Sequence, residues 1–160
     1  MVQAVGKSSK KLAELEVGDY ITDVVGPLGQ STHIEKVGTV VCAGGGVGVA
    51  PLLPIVEAFH KAGNRVIVVL AARTIDLVIL EELFRSEVII MTDDGSYGTK
   101  GLVTDGVESV IKRETVDLCV TIGPAVMMKF VSLLTKRYEI PTIASLNTIM
   151  VDGTGMCGAC

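Results

Sequence analysis

The feature that most constrains the fold is a glycine-rich turn at residues 44–48, where four of the five residues are glycine. It follows an apolar run and precedes a segment with helical periodicity. Without a Cβ, the backbone can approach an anion closely, and the N–H groups and positive dipole end of the following helix point to the same place. The turn is therefore the predicted site of a diphosphate group. Pro51 suits the first turn of the helix, whose apolar positions are Leu52, Ile55, Val56 and Phe59.

Short β-rich runs alternate with helical segments from residue 37 onward. These runs are apolar at successive positions, as expected for strands of a parallel sheet that helices cover on both faces. Repetition of strand, crossover helix and strand predicts an open, doubly wound α/β fold with a five-stranded parallel sheet. The predicted strands are 37–43, 65–71, 88–92, 118–122 and 142–146, and one of the predicted helices contains Met127, Phe130, Val131 and Leu134.

The carboxyl ends of these strands carry the residues that bear on function, because ligands of doubly wound sheets bind outside this edge. Asp93 and Asp94 follow the third strand. Carboxylates there can accept hydrogen bonds from ribose hydroxyls and would repel a 2′-phosphate, which favours NAD over NADP. The alternative for each carboxylate is a role in a turn or a helix cap.

Composition excludes two classes of partner. The net charge of −4 and the 4% aromatic content leave no basic surface for nucleic acid. The apolar runs are far shorter than the roughly 20 residues that span a bilayer, so no membrane segment is expected. The first residues lack the apolar core of a signal peptide, and the sequence predicts a cytoplasmic protein.

The four cysteines fall into two kinds. Cys42 and Cys119 lie in predicted strands, where a thiol usually serves as a small buried hydrophobic group. Cys157 and Cys160 form a C-x-x-C pair in a glycine-rich stretch, five residues after Asp152. This D-x4-C-x2-C spacing resembles a [2Fe–2S] ligand run with aspartate in the first place. Half of a zinc site and an exposed tail are the alternatives, since two thiolates alone complete neither kind of centre.

Residues 1–33 have too few apolar side chains to form a core of their own. Residues 2–11 are polar, one or two short strands are predicted within 12–25, and a turn or linker is predicted at 26–29. We expect this segment to be the end of a preceding domain or an arm. The predicted organisation is thus a leading segment 1–33, a nucleotide-binding domain 34–150 and the start of a metal-binding module 151–160.

Four stretches taken together, 42–52, 92–105, 123–128 and 145–160, resemble the ferredoxin–NADP reductase-like family. The resemblance covers nearly all of residues 2–160 and lies within the iron–sulfur flavoprotein electron-transfer subunits. One type is the small subunit of NADH-dependent reduced ferredoxin:NADP oxidoreductase, or sulfide dehydrogenase, in which aspartate replaces one cysteine ligand as at Asp152. The alternative type is the electron-transfer subunit of dihydroorotate dehydrogenase, whose first cluster ligand is cysteine.

The resemblance implies an oxidoreductase subunit with a FAD-binding barrel, a NAD(P)H-binding domain and a [2Fe–2S] module. Its implied partner is a larger, glutamate synthase-like flavoprotein or a dihydroorotate dehydrogenase catalytic subunit. Most of the barrel and the fourth cluster ligand are missing, so we expect this chain alone to be inactive and to lack both FAD and a complete cluster. Ile122 stands where many such reductases have a cysteine beside the nicotinamide.

No side chain is predicted to act as a catalytic acid or base, and surface or packing roles are expected for His33 and His60. The resemblance assigns Gly6, Ser8 and Ser9 to FAD, and Asp152, Cys157 and Cys160 to the cluster. A nucleotide-binding module without catalytic activity and a zinc-bearing interaction module are the alternatives from other classes. The predicted contacts of the nicotinamide nucleotide are Gly44, Gly45, Gly46, Val47, Gly48, Ala50, Pro51, Arg73, Thr92, Asp93, Asp94, Gly95, Gly123, Pro124 and Met127.

Overall fold

The computed structural model describes residues 2–146 and residue 154 of the 160-residue chain. The chain divides into two compact units. The first comprises Met1–Ser31 and Asn147–Cys160, and the second is Thr32–Leu146. The second unit carries all six strands of the described residues and holds the hydrophobic core.

The described part of the first unit contains one short helix, α1 (Lys7–Ala13). The prediction of one or two strands within 12–25 is wrong, because no strand forms among residues 2–31. A strand persists only when a neighbouring strand satisfies its backbone groups, and the apolar residues of this segment find no such partner. Tyr20, for example, is 92% exposed.

The second unit is a doubly wound α/β domain around a six-stranded sheet, in which every pair of neighbours is parallel. The strand order is β4-β3-β2-β1-β5-β6. The strands are β1 (Thr39–Gly45), β2 (Arg65–Ala72), β3 (Glu87–Thr92), β4 (Thr99–Lys100), β5 (Leu118–Ile122) and β6 (Thr142–Ala144).

The predicted fold class is confirmed, and the five predicted strands all form. The count of five is one short, because the two-residue strand β4 pairs with the end of β3. So short a strand leaves no periodic signal in the sequence. Gly98 and Gly101, both with positive φ, flank it and allow the chain to turn back against β3.

Three longer helices cover the sheet: α2 (Val49–Lys61), α3 (Val103–Arg113) and α4 (Ala125–Arg137). The hydrophobic core of the described part of the chain consists of two clusters of buried residues. One cluster contains residues of α2, such as Phe59, and the other contains residues of α3 and α4, such as Val107 and Val131. Phe130 is 54% exposed, so the buried face of α4 is narrower than predicted. None of the helices in the described residues is long and apolar enough to cross a membrane.

The prediction that Cys42 and Cys119 are buried is confirmed, since neither side chain has exposed surface. Burial raises the pKa of the Cys119 thiol to about 12 and also raises the pKa of Cys42. The thiolate is the form that attacks a disulfide reagent, so these two groups should be inert in the folded protein.

We therefore expect a Cys157→Ser/Cys160→Ser variant, which retains only the two buried thiols, to leave a disulfide reagent at pH 8 unreacted. The same variant should release two equivalents of product in denaturant, measured by absorbance. Rapid reaction of the folded variant would show that these strands open readily.

Candidate functional site

The site lies at the carboxyl ends of β1 and β5, where the strand order reverses direction. From β1 the chain proceeds through β2, β3 and β4 on one side, and then returns to place β5 on the other side of β1. A crevice forms at such a switch point because the loops that follow the two strands diverge to opposite faces. The glycine-rich turn follows β1, and the Gly123–Pro124 loop follows β5.

The glycine-rich turn begins two residues later than predicted, since β1 continues through Gly45. A single 3-10 turn, Gly46–Gly48, then leads directly into α2. Gly46 has a φ of +55°, and a Cβ placed there would meet no atom within 4 Å. Gly46 therefore provides a left-handed bend with an open face, next to a helix start whose first N–H groups lack intrahelical partners.

The other three glycines of the turn are required by packing, which sequence reasoning did not identify. A Cβ at Gly44 would lie 2.7 Å from Cδ2 of Leu52. A Cβ at Gly48 would lie 2.7 Å from the carbonyl oxygen of Ile122 and 2.9 Å from the nitrogen of Gly123. The turn after β1 and the loop after β5 thus touch through their backbones.

The Gly123–Pro124 loop leads into α4, with Pro124 at the N-cap position. The N-termini of α2 and α4 therefore both lie at this edge of the sheet. Ile122, the last residue of β5, is buried in the core, with 6% of its surface exposed. Pro124 and Pro51 are exposed, while Ala50 and Met127 are half-buried.

The loops after β2 and β3 are joined by backbone hydrogen bonds. The N–H of Asp93 donates to the carbonyl of Ala72 at 3.1 Å, and that of Asp94 donates to the carbonyl of Arg73 at 3.3 Å. Asp93 and Arg73 are both exposed at this edge. Among the described residues, no hydrogen bond or ion pair reaches the Asp93 carboxylate. This carboxylate is therefore available to a ligand.

Asp94 is engaged in a turn, which was the alternative considered for it from the sequence. Its Oδ1 accepts hydrogen bonds from the backbone N–H of Ser96 at 3.0 Å and from the Ser96 hydroxyl at 2.7 Å. These bonds hold the pKa of the Asp94 carboxyl below its usual range. Gly95, between them, has a φ of +79° and completes the turn.

Thr92 has no exposed surface and holds the following loop in place. Its hydroxyl donates to the carbonyl of Tyr97 at 2.6 Å and accepts from the Tyr97 N–H at 3.2 Å. The loop is also bonded to the segment after β2. The Ser96 hydroxyl accepts from the N–H of Ile75, and the Tyr97 hydroxyl donates to Glu81. The sequence did not predict that Ser96 and Tyr97 hold this loop in place, because bonds between side chains and backbone leave no periodic pattern.

The residues assigned to FAD lie at the start of α1, with Gly6 at its N-cap position. The Ser9 hydroxyl accepts from the N–H groups of Val5 and Gly6 and donates to the carbonyl of Gly6. Its hydrogen-bonding capacity is thus used within the chain, whereas Ser8 is exposed. The Nε2 atom of His33 lies 3.5 Å from a carboxylate oxygen of Glu35 on the surface.

The residues assigned to the cluster, Asp152, Cys157 and Cys160, lie outside the described residues. Within residues 2–146 and 154, no group of three or more histidine, cysteine, aspartate or glutamate side chains could hold a metal ion.

No protein-family model matches the chain. Curated relatives are similar to it over almost its whole length, among them the following two. A dihydroorotate dehydrogenase B (NAD(+)) electron transfer subunit homolog from Thermotoga maritima is 48% identical, covering 100% of this chain and 57% of the relative. A probable dihydroorotate dehydrogenase B (NAD(+)) electron transfer subunit from Methanocaldococcus jannaschii is 41% identical, covering 99% of this chain and 62% of the relative.

The fold is also similar to a chain of a solved structure, that of the NADH-dependent reduced ferredoxin-NADP oxidoreductase, described in connection with flavin-based electron bifurcation. The two chains superpose with a TM-score of 0.92 at 46% identity, covering 99% of this chain and 58% of the other. The chain thus spans less than two thirds of the length of each of these three proteins.

Proposed function

This chain is a relative of the ferredoxin reductase-like electron-transfer subunits, and we propose that it is the part that binds a nicotinamide nucleotide. The complete subunit would pass electrons between NAD(P)H, FAD and a partner subunit. The relatives are named as electron-transfer subunits, and the solved structure belongs to an NADH-dependent oxidoreductase. These likenesses support the redox role, and the geometry at the switch point supports the binding role.

The observation that carries the proposal is the open backbone at Gly46. Its left-handed conformation and the empty space beside it suit the close approach of a diphosphate, which a Cβ would obstruct. The start of α2 follows at once, and its N–H groups and dipole favour an anion there. The diphosphate would therefore contact residues 46–48.

The two ends of the nucleotide would extend from this point along the edge of the sheet. The nicotinamide end would lie at the Gly123–Pro124 loop, since that loop contacts the glycine-rich turn. The adenosine end would lie over β2 and β3. Of these, β3 is two strands away from β1, which is about 10 Å at the usual strand spacing. When bound, the nucleotide supplies a hydride, and the chain's own residues bind and orient it.

We further propose that the nucleotide is NAD(H) rather than NADP(H). The exposed Asp93 carboxylate has no protein partner among the described residues and suits the hydroxyls of a ribose. A 2′-phosphate at the same place would bring two negative charges together. Because Asp94 is held by Ser96, the selectivity would depend mainly on Asp93.

Calorimetric titration of the 160-residue chain with NADH and NADPH tests this selectivity. We expect NADH to bind at least about tenfold more tightly, a difference of about 1.4 kcal/mol. Asp93→Ser should narrow the difference by improving NADPH binding, whereas Glu57→Gln, on the exposed face of α2, should leave it unchanged. Tighter binding of NADPH by the unaltered chain would refute the choice of NAD.

The remaining cofactors are proposals for the complete subunit. Residues 1–33 would form the end of a FAD-binding domain, with the flavin contacted by Gly6 and Ser8 rather than by the internally bonded Ser9 hydroxyl. Asp152, Cys157 and Cys160 would hold part of a [2Fe–2S] cluster. We propose that the 160-residue chain alone is inactive as an oxidoreductase.

The partner would be a larger, glutamate synthase-like flavoprotein, as the spacing of Asp152 before the cysteine pair suggests. The names of the curated relatives favour the alternative, a dihydroorotate dehydrogenase catalytic subunit. Co-expression of the complete subunit with each candidate tests the choice. A complex that co-purifies with the dihydroorotate dehydrogenase alone would overturn our preference.

A further inference from the structure

Met127 lies where the two loops of the switch point come together. A Cβ at Gly45 would be 2.5 Å from Sδ of Met127, and a Cβ at Gly123 would be 2.7 Å from its Cε. The thioether therefore fills a notch that exists because neither position has a side chain. Gly45 ends β1 and Gly123 follows β5, so one side chain of α4 contacts the ends of both strands.

The backbones on either side of this notch are also in close contact. A Cβ at Gly123 would lie 3.1 Å from the carbonyl oxygen of Gly45, and one at Gly48 would lie 2.9 Å from Cα of Gly123. With so little space, the volume of the Met127 side chain sets how far apart the glycine-rich turn and the Gly123–Pro124 loop can be. Methionine is suited to an irregular gap of this kind, because its unbranched chain adapts to its neighbours.

Met127 is also anchored on its other side. It is half-buried and packs against the core formed with α3 and α4. Its neighbour Met128 is 4% exposed. None of the atoms of Met128 is among the three nearest to a Cβ placed at Gly45 or at Gly123. The two methionines therefore have separable roles, since one contacts the switch point and the other fills the core.

We propose that Met127 is a positioning residue that fixes the separation of the glycine-rich turn and the Gly123–Pro124 loop. This inference rests on the proposed function, in which the diphosphate lies at the turn and the nicotinamide at the loop. The adenosine and diphosphate contacts depend on the turn, α2 and the loop after β3. Only the nicotinamide end depends on where the second loop stands, so removal of the thioether affects that end selectively.

The experiment compares NADH with ADP-ribose, which lacks the nicotinamide, by calorimetric titration of the 160-residue chain. Met127→Ala should weaken NADH binding about tenfold, equivalent to about 1.4 kcal/mol, and leave ADP-ribose within about twofold. Met127→Leu, which restores most of the volume, should return NADH affinity to within about threefold of the unaltered chain. If the leucine variant binds NADH as weakly, relative to ADP-ribose, as the alanine variant does, the spacing role is overturned.

Met128→Ala is the matched control, because it truncates the neighbouring methionine within the same helix. It should lower the melting temperature and leave the ratio of the two affinities unchanged. If Met127→Ala fails to fold, Gly45→Ala provides the second route, since its Cβ would displace the flexible thioether and should change the ratio in the same direction.

The outcomes separate this inference from the proposed function. Equal weakening of both ligands by Met127→Ala, or no change in either, overturns the positioning role while the nucleotide site stands. Failure of the unaltered chain to bind ADP-ribose overturns the proposed function itself.

Discussion

Replacement of Gly48 by alanine is expected to weaken NADH binding at least about tenfold, equivalent to about 1.4 kcal/mol, and to destabilise the domain by about 3 kcal/mol, the upper end for overpacking a close-packed site. The added Cβ would lie 2.7 Å from the carbonyl oxygen of Ile122 and 2.9 Å from the nitrogen of Gly123. These are backbone atoms of β5 and the loop after it, so no rotation of a side chain relieves the contact. The loop must move away from the turn.

The strain is purely steric, because Gly48 has a φ of −62°, which alanine adopts readily. Thermal or urea unfolding followed by circular dichroism measures the stability, and calorimetry measures the binding. Gly26→Ala is a suitable control, since a Cβ there would lie 3.9 Å from its nearest neighbour, an ordinary contact, and Gly26 is not among the glycines with positive φ. A Gly48→Ala variant with unaltered NADH affinity would show that the two loops are not held together as described.

Replacement of Thr92 by valine is expected to be the second most damaging change. Valine keeps the buried volume but removes both hydrogen bonds to the backbone of Tyr97. At about 1 kcal/mol for each bond, the loss should be about 2 kcal/mol of stability. The loop that carries Asp93 would lose its anchor to β3, so discrimination between NADH and NADPH should fall toward unity.

Thr115→Val, at an exposed threonine outside this loop, provides the matched control. Calorimetry with both nucleotides should show unchanged selectivity for the control and lost selectivity for Thr92→Val. Full selectivity in a destabilised Thr92→Val variant would indicate that the loop is held mainly by its bonds to Ile75 and Glu81.

The parallel sheet could be predicted because its strands are buried on both faces and therefore read as continuous apolar runs. The edge that carries the candidate site followed from the same pattern, since every parallel strand presents its carboxyl end there. The strand β4 could not be predicted, because two residues carry no periodicity. The strands expected within 12–25 failed because alternation alone cannot supply a pairing partner.

The glycine-rich turn illustrates what a sequence can and cannot indicate. Four glycines predicted close approach to an anion, but only Gly46 has both an open face and a left-handed backbone. Gly44, Gly45 and Gly48 are in contact with side chains or backbone that come from elsewhere in the chain. Such contacts depend on how α2, α4 and β5 pack against one another. The hydrophobic periodicity of the sequence does not indicate that packing. The same holds for Asp94, whose partner Ser96 is defined by the shape of a loop.

The most direct test of the account is an NMR titration of the isotopically labelled 160-residue chain with ADP-ribose, with the backbone amide resonances assigned. The account predicts that the largest shifts belong to Gly46, Val47 and Gly48, with smaller shifts at Asp93. Unchanged resonances at these three residues, with binding elsewhere or not at all, would contradict the assignment of the glycine-rich turn to a diphosphate.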